Sequence, residues 1–191
     1  MRLVRVAAAA VASVAVLVAC SDGETANDTL PSTSTSASAD PSETLQPLGP
    51  PDFPVPTEAR EPTPDGAVKA LEYYLDLIQR QSTKDGGPLR ELSNDCTFCS
   101  FLADRADADA AAGYVYKGGI ISTDDLRLPA TDGIVAEFAF SASQTAVEVL
   151  DLNGQPVAGR GQEAVSDISA AAAMSWDASI KAWLMTQLSF G

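Results

Sequence analysis

Near Tyr114 the apolar residues of this chain change their spacing, from every third or fourth position to every second. Helical repeats followed by strand repeats leave few architectures open. The expectation is an α+β domain with N-terminal helices packed on a curved antiparallel sheet. The helical part opens at Thr63-Pro64, an N-cap and a first-turn proline whose missing N–H costs nothing. Ala67, Leu71, Tyr74, Leu75 and Ile78 then share one apolar face, and Asp76 and Arg80 pair on the solvent side. Gly86-Gly87-Pro88 is expected to stop this helix, which should be the piece the domain packs around. After a short turn (Pro88 to Leu92), Phe101 to Ala112 reads as a second helix ended by Gly113. Beyond Tyr114, Ile134, Ala136, Phe138 and Phe140 alternate as in a half-buried strand. A further strand runs from about Thr145 to Leu152, before the hairpin signal Asn153-Gly154. Ala164–Trp176 and Ala182–Phe190 are the last two strands, joined through Asp177-Ala178-Ser179.

The N-terminal region follows a different logic. Arg2 and Arg5 precede an apolar run from Val6 to Ala19, broken only by Ser13. At about 14 residues it suits a signal-peptide core and falls short of the ~20 needed to span hydrocarbon. Its ending, Leu17-Val18-Ala19-Cys20, resembles the lipobox of bacterial lipoproteins. That resemblance implies removal of residues 1–19 and a lipid on Cys20, which anchors the chain on the extracytoplasmic face of a cell membrane. An ordinary secretory cleavage with Cys20 a bystander is the alternative. Residues 20–62 hold most of the prolines and the run Ser32-Thr33-Ser34-Thr35-Ser36. Such a composition buries little apolar surface, so it reads as a disordered tether, stiffer toward its Pro-dense end and open to O-glycosylation. The folded domain is assigned to residues 63–191.

Charge narrows the choice of partners. Taking Arg2 and Arg5 from the 12 basic residues leaves ten against 26 acidic ones, a net charge of −16 after cleavage. A surface of this sign repels nucleic acid and anionic headgroups alike, so the acyl group must supply membrane attachment. There is no histidine. That removes Ser-His-Asp and Cys-His nucleophile systems and the commonest metal ligand, and no motif calls for a cofactor.

Three stretches together resemble a family of uncharacterised actinobacterial lipoproteins: T-P-D-G-A-V-K-A-L-E-Y-Y-L (Thr63 to Leu75), L-x-x-L-S-x-x-C-x-x-C (Leu89 to Cys99), and A-M-S-W-D followed by K-A-W-L-M (Ala173 to Met185). The globular part of such proteins is similar to the nuclear-transport-factor-2-like, or cystatin-like, α+β cone. The resemblance carries no activity and assigns no catalytic residue.

Cys96-Thr97-Phe98-Cys99 is the sharpest local motif. A thioredoxin-type redox pair would follow a strand, and zinc would want about four ligands. A small disulfide pinning the inter-helix loop is the expected role. Asp104, Asp107 and Asp109 do not fit a calcium loop and read as a solvated helix face. In an enzyme built on the cone, Tyr73, Tyr74, Tyr114 or Tyr116 would be the donor and Asp104 or Glu137 the base. Trp176 and Trp183 read as sheet residues packing on the core. The function expected is non-catalytic binding, of an envelope protein partner or a small apolar ligand. The alternative is a small isomerase- or hydrolase-like enzyme using the cone pocket, and a stalked module that helps assemble other envelope proteins is a third reading.

Overall fold

The structure, a computed structural model, describes residues 45–82 and 84–191. The signal segment, Cys20 and the tether up to residue 44 lie outside the described residues. A 3-10 turn (Thr57–Arg60) leads into helices α1 (Pro64–Gln81), α2 (Gly87–Glu91) and α3 (Thr97–Ala111). The strands follow: β1 (Val115–Gly118), β2 (Ile121–Asp124), β3 (Ala130–Thr131), β4 (Val135–Gln144), β5 (Val147–Leu150), β6 (Val165–Asp177) and β7 (Ala182–Phe190). Helices packed on a curved antiparallel sheet make the expected α+β class, consistent with the cone.

Thr63 Oγ1 accepts the Gly66 N–H at 3.0 Å and Pro64 opens α1, as the capping signals require. The helix ends at Gln81, before the glycines; Gly87 and Pro88 instead open α2. Proline's fixed φ suits a helix start as well as a stop, so the same residues serve the next element. Gly86 is needed for a second reason. A Cβ there would sit 2.3 Å from the Ala103 carbonyl oxygen, so only glycine lets α2 lie against α3.

The main sheet runs β2-β4-β6-β7, with β3 continuing the β2 edge of β4; β1 and β5 form a separate ribbon. Every pairing between these strands is antiparallel. Phe138 and Phe140 of β4 face Ala172 and Ala170 of β6, so rings fill the space that alanines leave. These rings and the α1 stripe of Ala67, Leu71, Tyr74 and Leu75 belong to one buried apolar cluster. Each fully buried large apolar side chain contributes about 1.5–3 kcal/mol, making this cluster the main stabilising layer. Ile134 is exposed: Asp132 Oδ1 accepts the Ile134 and Val135 N–H groups in a turn, and the strand begins one residue later.

The packed part of the chain begins well before Thr63. Leu48 and Ala59 are buried, and Phe53 stacks on Tyr73 at 4.8 Å between ring centres. The Arg80 guanidinium lies 4.0 Å over the other partner, Phe53. Arg60 donates to the carbonyls of Gln46, Ile180 and Lys181, and Trp183 Nε1–H to that of Glu61. Residues 45–62 are therefore a strap laid across α1 and the β6–β7 turn. It escapes a compositional reading because isolated apolar residues, without period, do its packing, and its backbone is satisfied partly by local turns and partly by side chains.

Cys96 and Cys99 are bridged, with Cα atoms 5.2 Å apart, at the start of α3. The loop before them docks on β7: Asn94 N–H donates to the Met185 carbonyl, and Met185 N–H to that of Leu92. The disulfide thus stiffens a loop already tied to the sheet. Among the described residues, no helix is long and apolar enough to cross a membrane.

Candidate functional site

The C-terminal half of α1, the inner face of α3 and the β1–β5 ribbon enclose a cavity of about 240 Å³. The chain enters it from the ribbon through Gly118 and Gly119, both at positive φ, where β1 crosses to β2. A Cβ on Gly118 would lie 2.0 Å from the Ala146 carbonyl oxygen, so this crossing needs glycine.

Asp109 forms the floor and is wholly buried. On α3 it continues the stripe of Cys99, Ala103 and Ala106, which turns inward because its residues are small. A carboxylate taken out of water is costly unless partnered, and three side chains partner it. Tyr116 Oη–H donates to Oδ2 at 2.5 Å, and Arg105 Nε lies 3.5 Å from the same oxygen, one turn away. Arg160, from the loop between β5 and β6, brings Nη2 within 3.1 Å of Oδ1. This last contact is ionic rather than an aligned hydrogen bond, and Oδ1 accepts none. Arg105 Nη2 also donates to Tyr116 Oη at 3.3 Å, and the Arg160 guanidinium rests 5.4 Å from the Tyr114 ring centre.

The electrostatics follow from these contacts. Burial, and then the bond to Asp109, raise the Tyr116 pKa, so its proton stays on the ring oxygen and points to the carboxylate. Burial opposes the charge of Arg105, but Tyr116 and Asp109 outweigh it and its pKa is raised. Two guanidiniums and one carboxylate leave one positive charge in excess at the cavity wall, in a chain of net −14. Each guanidinium has five N–H donors, and the Asp109 and Tyr116 contacts engage only part of them. Gln79, Gln144 and Gln162 add neutral polar groups to the lining. The arrangement holds two cations facing a water-accessible space. Tyr116 and both arginines surround the carboxylate, with Oδ1 held by the ion pair to Arg160 alone.

A second cavity of about 280 Å³ adjoins the first through shared walls at Ile78, Leu102, Arg105, Ile121 and Gln144. Gln162 is shared as well; the rest of its lining is largely apolar, led by Phe98, Phe101, Ile168 and Phe190, with Ser143 among them. Phe98 packs against both other rings, each at 6.1 Å.

Of the tyrosines singled out in the sequence, Tyr116 lines the cavity and Tyr114 supports Arg160. Tyr73 and Tyr74 are core residues whose hydroxyls donate to the Phe53 and Leu89 carbonyls; burial pushes each pKa up to about 12. Neither expected base reaches the cavity. Asp104 is exposed and pairs with Arg90 at 2.5 Å, and Glu137 lies on the open face of β4. The solvated-face expectation holds for Asp104 and Asp107 but is corrected for Asp109, which turns inward with the alanine stripe. A signal was present: an acidic residue on the small-residue stripe, with an arginine four positions earlier. Arg160 and the glutamines gave none, because ribbon and loop bring them in from far along the chain. Trp176 and Trp183 meet edge to face at 5.6 Å within the sheet. Among the described residues, no group of three His, Cys, Asp or Glu side chains is placed to hold a metal ion.

No family model matches the chain, and no curated protein does. Among solved structures it is similar to a designed nuclear-transport-factor-2-like protein, a variant of Rd1NTF2_05, at 14% identity and a TM-score of 0.41. That match covers 66% of this chain and 97% of the other.

Proposed function

We propose that this chain is a lipid-anchored binding protein of a bacterial cell envelope, whose cavity takes a small ligand carrying an anionic group without altering it chemically. The observation that carries this reading is the Arg105–Asp109–Tyr116–Arg160 cluster, with its surplus positive charge beside open space. A carboxylate or phosphate group can accept from guanidinium N–H groups at low local dielectric, where such bonds are strongest. Asp109 then acts as a positioning group, holding both arginines against their mutual repulsion. The anchor rests on the lipobox likeness of Leu17 to Cys20, and the likeness to actinobacterial lipoproteins supports the same setting.

Calorimetry with benzoate and its uncharged counterpart benzamide tests the reading. Benzoate should bind at least tenfold more tightly, and Arg160→Gln should remove the difference, since one charge-assisted hydrogen bond is worth about 1.5–3 kcal/mol. Equal binding of the two compounds, or a variant that discriminates as before, would refute it.

A further inference from the structure

We infer that the ligand is an anionic amphiphile, a single acidic head on an unbranched apolar tail, with the head at Arg105 and Arg160 and the tail over Phe98, Phe101 and Phe190. The inference rests on the anion-binding reading above and extends it from the head to the whole molecule. Its basis is the sequence of surfaces along two cavities that share walls. The first cavity offers guanidinium and amide groups, and the second offers aromatic and aliphatic ones. Arg105, Gln144 and Gln162 line both, so polar groups gather where the cavities meet, while Phe98, Phe101, Ile168 and Phe190 line the second alone.

Size argues for one occupant spanning the two. Small-molecule sites usually measure about 300–1,000 Å³. At about 240 and 280 Å³, each chamber alone falls short of that range, and a ligand of ordinary size would extend from one into the other. The apolar chamber also needs cover. Phe101 is 54% exposed on α3 although its ring stacks on Phe98, and Ile168 and Phe190 are half-buried beside it. An apolar tail would remove this surface from water, whereas a compact anion would leave it wet. The net charge of the chain is negative, whereas this cavity wall carries an excess positive charge that favours an anionic head.

Titrating the full chain with acetate, hexanoate and decanoate, and with uncharged hexanamide, decides the matter. Affinity should rise by up to about fourfold per methylene until the chamber is full. Hexanoate should bind at least tenfold more tightly than hexanamide. Phe101→Ser, at an exposed position where folding is undisturbed, should flatten the length dependence and leave acetate unchanged. The length series on the unaltered chain stands alone if that variant misbehaves. Equal affinity for acetate and decanoate would overturn the amphiphile and leave the anion-binding reading intact. Hexanamide binding as tightly as hexanoate, with length still favourable, would overturn both. Absence of binding by every alkanoate at millimolar concentration would overturn the amphiphile, with the benzoate experiment deciding the broader reading separately.

Discussion

Replacing Arg60 with methionine tests whether the strap belongs to the folded domain. Its guanidinium donates to the carbonyls of Gln46 at 2.5 Å, Ile180 at 2.5 Å and Lys181 at 3.1 Å, joining two stretches far apart in sequence. Hydrogen bonds from a charged donor contribute about 1.5–3 kcal/mol each. Three at full value would overstate the loss, because burial of the charge opposes the gain and the freed carbonyls can turn to water. Methionine also keeps the packing of the stem. A net loss of about 2–4 kcal/mol follows, a large part of the ~5–15 kcal/mol typical of a domain. At ~2–4 °C per kcal/mol for a domain of this size, the melting midpoint should fall by roughly 5–15 °C. Lysine should recover little of this, since an ammonium cannot reproduce the planar fork. Thermal melts of Arg60→Met, Arg60→Lys and two truncated chains, starting at residue 45 and at residue 63, complete the experiment. The chain starting at 63 should melt below the one starting at 45 by at least the Arg60→Met loss. If the two truncations melt together, or Arg60→Met melts within about 2 °C of the parent, the strap contributes nothing and the boundary at residue 63 stands.

Three shorter predictions accompany it. Cys96→Ser/Cys99→Ser should fold with stability lowered by at most ~2 kcal/mol, because the closed loop is so short; denaturant midpoints check this, and loss of folding would show a larger role. Burial raises the pKa values of Tyr73 and Tyr74 to about 12, so the folded state favours their neutral forms. That stability is complete below the unfolded value near pH 10 and is lost as pH rises toward 12; Tyr74→Phe should flatten the fall in midpoint between pH 9.5 and 11.5. Cys20→Ala should leave an unlipidated precursor, and mass spectrometry showing mature parent protein without acyl chains would remove the anchor from the proposal.

What could be read from the sequence depended on how many residues repeat a signal. The α1 stripe and the alternation in β4 involve several residues each, and Leu71, Leu75, Ala136, Phe138 and Phe140 all turned inward as their spacing required. The short strands β1 and β2, at four residues, carry too few alternations to stand out. The strap was hidden by its prolines, although Leu48, Phe53 and Ala59 do its packing one residue at a time. The cavity is half legible: the sequence offers Tyr116 among the donors but points to Asp104 or Glu137, not Asp109, as the base. Aspartate usually lies in solvent, and only the partners Arg105, Tyr116 and Arg160 make the burial of Asp109 tolerable.

The strap also sets how the domain bears load. Tension on the chain from its N-terminal side meets residues 45–62 before it meets α1. Arg60 and Glu61 pass that force to the β6–β7 turn and to Trp183 on β7. Side-chain contacts taken one at a time peel in succession, whereas the β6–β7 ladder resists as a unit. Under a steady pull the strap would therefore yield first, extending to at most roughly 60 Å while sheet and cavity stay folded.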